Sequence, residues 1–294
     1  MKKILSLACV VLLLCTACHA QSKPTQYTNS GLLWEISGNG LKSPSYLFGT
    51  YHLAGKSFAD SLSTIKEKFN TCTAVVGEIL ISKTDMYKMM PAMMLRGTTL
   101  DKLFTPQEYQ QITEATKQIT GSDMLRFNGL KPSALTVVYM TTVAPRTISS
   151  ANPALDEYFQ TEGKSRKDTI IGLESLQEQI DLLLNGSMES QKKHLLKFVQ
   201  KHDLYKMQMQ KMYRLYEQQD IDGLSKMFYS DDDYDQDEMD ALLKKRNLKW
   251  MQELPGIMSA QSTFIAVGAG HLVGEYGLVN QLKMKGYTVR AVKL

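Results

Sequence analysis

Two apolar runs near the C-terminus, 262–268 (Ser-Thr-Phe-Ile-Ala-Val-Gly) and 287–292 (Tyr-Thr-Val-Arg-Ala-Val), flank a helical stretch at 277–285. A strand, a helix and a strand in that order form a β-α-β unit, and a helical crossover makes its two strands parallel. That commits the chain to an α/β fold in which helices cover a sheet. A hairpin is expected at the start, with strands at 32–36 and 45–49 joined through Ser37-Gly38-Asn39-Gly40. Its antiparallel pairing makes the sheet mixed. Further strands are expected at 74–81 and at 168–174, the latter buried and ending in an acid. Helices are expected near 59–69, at 133–142, at 154–162, at 177–184, at 239–251 and, as one long amphipathic element, at 190–218. Another begins at Thr105, which caps it with Pro106 at the first position and Glu108 three residues on.

The first 30 residues read differently. Met1-Lys2-Lys3 is basic, 4–14 is apolar, and small residues follow at Thr16-Ala17-Cys18. The apolar run is too short to span a bilayer and reads as a signal peptide over 1–18. Ala17-Cys18 matches a lipobox, so Cys18 is the expected lipidation site and first mature residue. The alternative is ordinary cleavage after Ala20, giving a secreted or periplasmic protein. Residues 19–30 are polar and unpatterned, a flexible tether. A single α/β domain over 31–294 follows, anchored in the cell envelope through its lipid rather than by a span. Of four cysteines, only Cys72 lies in that domain, which excludes an internal disulfide there. A net charge of +4 without a basic, aromatic-studded stripe argues against nucleic acid as a partner.

Candidate chemistry lies at strand ends. Leu47-Phe48-Gly49-Thr50-Tyr51-His52 and Ile265-Ala266-Val267-Gly268-Ala269-Gly270-His271 are each an apolar strand followed by Gly-x-x-His. Glycine permits a sharp turn and a close backbone approach, and ligands of open α/β sheets bind outside the carboxyl ends of parallel strands. A histidine that merely caps a turn is the plainer reading of either motif. There are only five histidines, however, and two repeat the same device. His194 and His202 fall in the long helical pattern and are expected to be exposed. Glu78 and Glu174 occupy similar apolar strands. A buried carboxylate needs a cation, a donor or a shifted pKa. The plain partner is an arginine such as Arg246, and the functional readings are metal ligation or general-base work. Two histidines with one or two carboxylates suit Zn²⁺, Mn²⁺, Fe²⁺ or Co²⁺, and spacing does not choose among them.

These stretches, with Arg246-Asn247 and the closing pattern from Phe264 to Val289, resemble the TraB/PrgY/GumN family, to which the animal Tiki proteins are related. The resemblance runs from about residue 31 to 294. It implies a metal-dependent peptidase using Mn²⁺ or Co²⁺, with two Gly-x-x-His motifs and an acid at its centre. Carried over, His52, His271 and Glu78 would hold the metal (Mn²⁺, Co²⁺ or Zn²⁺). Glu174 would act as base or orienter, and Arg246 and Asn247 would stabilise an oxyanion or orient the carboxylates. Asp156 falls on a Leu-Asp pattern upstream of Gly172-Leu173-Glu174, and Gly49 and Gly268 belong to the two motifs. The expected substrate is a peptide or protein outside the cytoplasm. The alternative is a lipoprotein that sequesters a peptide or factor without cutting it, as pheromone-shutdown members of the family are described to do.

Other conspicuous stretches read as structural. Met89-Met90-Pro91-Ala92-Met93-Met94 and Met207-x-Met209-x-x-Met212 resemble adaptable core or an apolar groove more than a Cu(I) site. The acidic run from Asp231 to Glu238 lacks the sixth-position glycine and the twelfth-position glutamate of an EF-hand, which leaves a solvated loop.

Overall fold

The computed structural model describes residues 31–82, 84–230 and 236–294. The signal peptide, Cys18, the tether and Asp231 to Asp235 lie outside the described residues. The described chain divides into two compact units, one of Ser82–Pro145 and Leu176–Lys211, the other of 31–81, Arg146–Ser175 and Met212–Leu294.

The second unit holds the sheet. Its strands are β1 (Leu33–Ser37), β2 (Ser45–Thr50), β3 (Ala74–Ile79), β4 (Thr169–Glu174), β5 (Thr263–Gly268) and β6 (Thr288–Ala291), in the order β4-β3-β5-β2-β1-β6. Strands β4, β3, β5 and β2 run parallel to one another. β1 pairs antiparallel with β2, as the hairpin required, and with β6. β6 therefore points the same way as β5, consistent with a β-α-β unit whose connection passes two strands.

β2, β3 and β5 are buried along their whole length, as the continuous apolar runs of a doubly covered sheet demand. On one face the helix Leu155–Arg166 lies across β3, β4 and β5. Phe159 sits among Phe48, Phe69 and Phe264 with ring centroids 4.8–5.6 Å away. β4 departs from expectation. It is an edge strand whose residues are mostly half-exposed, with only Leu173 buried. Pattern within one strand cannot reveal whether a neighbour exists on its second side.

The first unit is helical. Pro132–Val143 has no polar face and buries Ala134, Leu135, Val137, Tyr139 and Met140, as a central helix does. The Thr105 capping box forms as read, with both reciprocal bonds present. Met89 and Met93 join Ala134, Ile180 and Leu184 in a small core, while Met90 and Met94 are exposed. The long helix expected at 190–218 is two, Met188–Gln200 and His202–Glu217, broken at Lys201. No Gly or Pro marks that break. His194 and His202, expected to be exposed, are half-buried; His202 Nδ1 lies 3.1 Å from the Val199 carbonyl. The helix expected at 239–251 runs on as Lys245–Ala260, through Pro255. Among the described residues, no helix is long and apolar enough to cross a membrane.

Gly163 shows how closely helix and sheet approach. A Cβ there would stand 2.6 Å from Val75 Cγ2 and 2.8 Å from Ile170 Cδ1. Helix propensity alone would make Gly163→Ala stabilising by about 1 kcal/mol. The expected outcome is the reverse, a loss of about 1–3 kcal/mol from overpacking, measured by urea unfolding followed by circular dichroism.

Candidate functional site

The four parallel strands end on one edge of the sheet, and each delivers a candidate side chain there. Glu78 is the penultimate residue of β3, and Glu174 is the last of β4. His52 follows β2, and His271 sits in the 3-10 turn Ala269–Leu272 that follows β5. The register pairs Thr50 with Gly268, which sets the two Gly-x-x-His turns side by side. Gly49 allows that approach, because a Cβ on it would lie 3.1 Å from the Cα and Cβ of Ala269. Gly268 leaves the space in front of the site. A Cβ there would fall 3.2 Å from both His52 Nε2 and Glu78 Oε1, and 3.7 Å from His271 Cδ2.

Each imidazole is fixed through its other nitrogen. His52 Nδ1 donates to Asp156 Oδ2 at 2.8 Å, and Asp156 Oδ1 accepts from Thr50 Oγ1 at 2.8 Å. Asp156 lies in the first turn of Leu155–Arg166. The backbone after His52 pins that turn in place, since the Ala54 carbonyl accepts from the Leu155 N–H and the Lys56 N–H donates to the Pro153 carbonyl. His271 Nδ1 donates to Asn247 Oδ1 at 2.7 Å. The Asn247 amide can only accept there, because its Nδ2 donates to the carbonyls of His271 and Tyr276. These partners place a proton on Nδ1 of each ring, and at His271 the Arg246 N–H donates to the Nε2 lone pair. Glu78 Oε1 lies 3.8 Å from the first Nε2 and 3.7 Å from the second, and accepts the Gly268 N–H at 2.9 Å.

Arg246 binds the centre together. Its Nε and Nη2 fork onto Glu174 at 2.8 and 3.0 Å. Nη2 also reaches Glu78 Oε2 at 2.6 Å, and Nη1 donates to His271 Nε2 at 3.0 Å and to the Leu242 carbonyl at 3.1 Å. The salt bridge read as the plain fate of either carboxylate thus serves both. Trp250, one helical turn beyond Arg246, completes the wall. Its Nε1 donates to Glu174 Oε1 at 3.0 Å, and its ring lies 4.3 Å from that of His271 and 4.8 Å from the guanidinium. The helix carries a π turn at Asp240–Lys244 just before Arg246, a distortion found often at functional sites.

The electrostatics follow from burial. The side chains of Glu78 and Glu174 are each only 4 % exposed. Burial alone would raise the Glu78 pKa, but Arg246, His271, His52 and the Gly268 N–H together hold it well below the usual carboxylate range. Burial and then the nearby guanidinium push His271 down to about 3, so its ring is neutral at physiological pH.

Of the residues singled out in the sequence, His52, Glu78, Asp156, Glu174, Arg246, Asn247, Gly268 and His271 meet at one place, with Gly49 behind them; Cys18 lies outside the described residues. Three contributors were missed. Thr50 lies inside the first motif, Trp250 lies four residues after Arg246 on the same helix face, and the buried Tyr216 donates to the Gly49 carbonyl at 3.1 Å. The first two were within reach of spacing; nothing near Tyr216 signals its role.

Among the described residues, no group of three or more His, Cys, Asp or Glu side chains stands at a geometry that could hold a metal ion. The donor types are nevertheless those that metal sites use. Both imidazoles direct Nδ1 at an acceptor, and Glu78 Oε1 lies 3.8 and 3.7 Å from their Nε2 atoms, next to Gly268. Outer partners of this kind are the usual companions of histidine ligands.

A mixed sheet whose parallel strand ends gather two histidines, two buried glutamates and an arginine defines an α/β protein with a polar centre built for chemistry. The chain belongs to the TraB/PrgY/gumN family, whose model matches residues 32–291. No curated protein and no solved structure matches it.

The depressed His271 pKa fixes a pH dependence. The unfolded imidazole takes a proton near pH 6.5, whereas the folded one does so only at about 3. Between those values the unfolded state binds more protons, so stability falls as pH falls below about 6.5. The expected slope from this ring approaches about 1.4 kcal/mol per pH unit. Urea unfolding of wild type between pH 6.5 and 4.5 should show it, and His271→Gln should have a shallower dependence.

Proposed function

We propose that the chain is a metal-dependent hydrolase of peptides or proteins that works outside the cytoplasm. The observation that carries this reading is the convergence of His52 Nε2, His271 Nε2 and Glu78 Oε1 in the space left by Gly268, with Nδ1 of each ring held by an acceptor. Those three residues would hold the ion. A divalent cation supplies Lewis acidity, polarising a carbonyl and making water acidic enough to attack near neutral pH. Three carboxyl side chains, Glu78, Glu174 and Asp156, share one guanidinium here, a donor balance in which a divalent cation is at home.

The surrounding residues have positioning roles. Asp156, held by Thr50, keeps a His52 proton on Nδ1 and fixes the ring's orientation. Asn247 does the same for His271. Glu174 has both oxygens engaged by Arg246 and Trp250, which suits an orienter of the guanidinium better than a base. The guanidinium is a donor available to a developing oxyanion. The signal peptide and lipidation at Cys18 read from the sequence would put this chemistry in the cell envelope.

A second reading rests on a specific contact. Arg246 Nη1 donates to His271 Nε2, so the Asp156–His52 pair could act alone as a metal-free general base. The two readings part on chelation. In the metal reading, the purified full-length protein binds one equivalent of Mn²⁺, Co²⁺ or Zn²⁺ in titration calorimetry, and His52→Ala and His271→Ala lose that binding. Cleavage of a peptide library disappears with chelator and returns with metal. Equal metal binding by wild type and both variants would sink the assignment, and cleavage that survives chelation would favour His52 as a base. A library left uncut under every metal would point to a binding protein instead. Asp156→Asn is expected to reduce metal affinity or turnover by about 10–100-fold while leaving the fold intact by circular dichroism.

A further inference from the structure

Arg246 donates to the lone pair that the metal reading requires. His271 Nε2 has one lone pair, and among the described residues that lone pair accepts from Arg246 Nη1 at 3.0 Å. A guanidinium and a divalent cation cannot both use it. We infer that Arg246 is an exchangeable internal cation: it satisfies the site without metal, and binding of a divalent ion displaces its Nη1 from His271 while its fork stays on Glu174. This rests on the metal-site reading above and says how that site is held and tuned.

Three features support the exchange. The first is the division of contacts around the guanidinium. Nε and Nη2 face carboxylates, Glu174 at 2.8 and 3.0 Å and Glu78 at 2.6 Å, and charge-assisted bonds of this kind are the strong ones. Nη1 donates to two neutral acceptors among the described residues, His271 and the Leu242 carbonyl. Withdrawing Nη1 from His271 therefore costs the weaker kind of bond and leaves the fork and the Leu242 bond in place.

The second is charge. Two buried carboxylates side by side need a cation at all times, because an uncompensated buried charge is strongly destabilising. Arg246 meets that need without metal. With metal present its positive charge opposes the ion, so the residue that preserves the site also weakens its affinity. The third is the backbone. Leu242, whose carbonyl receives Nη1, belongs to the π turn Asp240–Lys244. That turn sets the carbonyl within reach of the side chain of Arg246, on the same helix.

Trp250 gives the exchange a direct readout. It touches the guanidinium, the His271 ring and Glu174 at once. Only two tryptophans exist, so Trp34→Phe leaves Trp250 as the sole tryptophan, excited selectively at the red edge of its absorption where tyrosine does not absorb. The experiment titrates the full-length protein with Zn²⁺ and with Mn²⁺, following heat for both and Trp250 emission for Zn²⁺. It compares the Trp34→Phe protein with versions that also carry Arg246→Gln or Arg246→Lys.

The expected result is a Zn²⁺-dependent change in Trp250 emission when Arg246 is present, much reduced in Arg246→Gln. The same substitution should tighten metal binding by about 10-fold or more, a change on the scale of those outer partners make. It should also lower the melting temperature without metal and enlarge the rise on adding Zn²⁺. Arg246→Lys keeps a charge but cannot fork onto Glu174 and reach His271 together, and it should also bind more tightly than wild type. If Arg246→Gln does not fold, the Lys variant and the unsubstituted emission titration still decide the matter. Metal binding to wild type that is equal or tighter than in the variants, or saturation with no change at Trp250, overturns the exchange and leaves the metal site standing. No binding by any of these proteins overturns both.

Discussion

The buried pairing of one guanidinium with two glutamates is the contact on which the rest of this site depends. Glu78 and Glu174 arrive on different strands, at the ends where four parallel strands stop. Removal from water penalises a buried carboxylate far more than a single hydrogen bond repays, so each needs a partner. Arg246 comes from a helix far along the chain and answers both acids. Its Nη1 then fixes the face of His271, as Asn247, the next residue, fixes the opposite nitrogen. Two consecutive helical residues thus set both the charge and the tautomer of the centre, and Trp250 closes it one turn later.

The sheet supplies the geometry this pairing needs. Parallel neighbours place their carboxyl ends in register, so short turns after β2 and β5 bring two histidines together from opposite ends of the domain. Asp156 is attached to that arrangement by backbone bonds between the loop after His52 and the start of its own helix. Because β2, β3 and β5 are buried, the site rests on rigid elements rather than on free loops, which is the condition for preorganised polar chemistry.

Much of this was legible in the residues. The strand followed by Gly-x-x-His gave both histidines and their location, and acids inside apolar strands gave Glu78 and Glu174. Arg246 was readable as a partner for either acid, but not as a partner for both and for His271, because that choice is made by packing across long sequence separations. Asp156 stood out only through the family pattern, and its bond to His52 depends on a loop that no periodicity describes. The break at Lys201 carries no Gly or Pro, and the exposed side of β4 follows from its place at the sheet edge. Both are properties of neighbours rather than of the local sequence.

Gly268 has a consequence for reading related chains. Its backbone conformation is ordinary, so no rule of turn geometry reserves the position for glycine. What reserves it is the volume shared by His52, Glu78 and His271. A relative bearing a side chain there would press a methyl group against His52 and Glu78, and those side chains would have to give way. The absence of one methyl group is thus what lets three polar groups from three strands share one small volume.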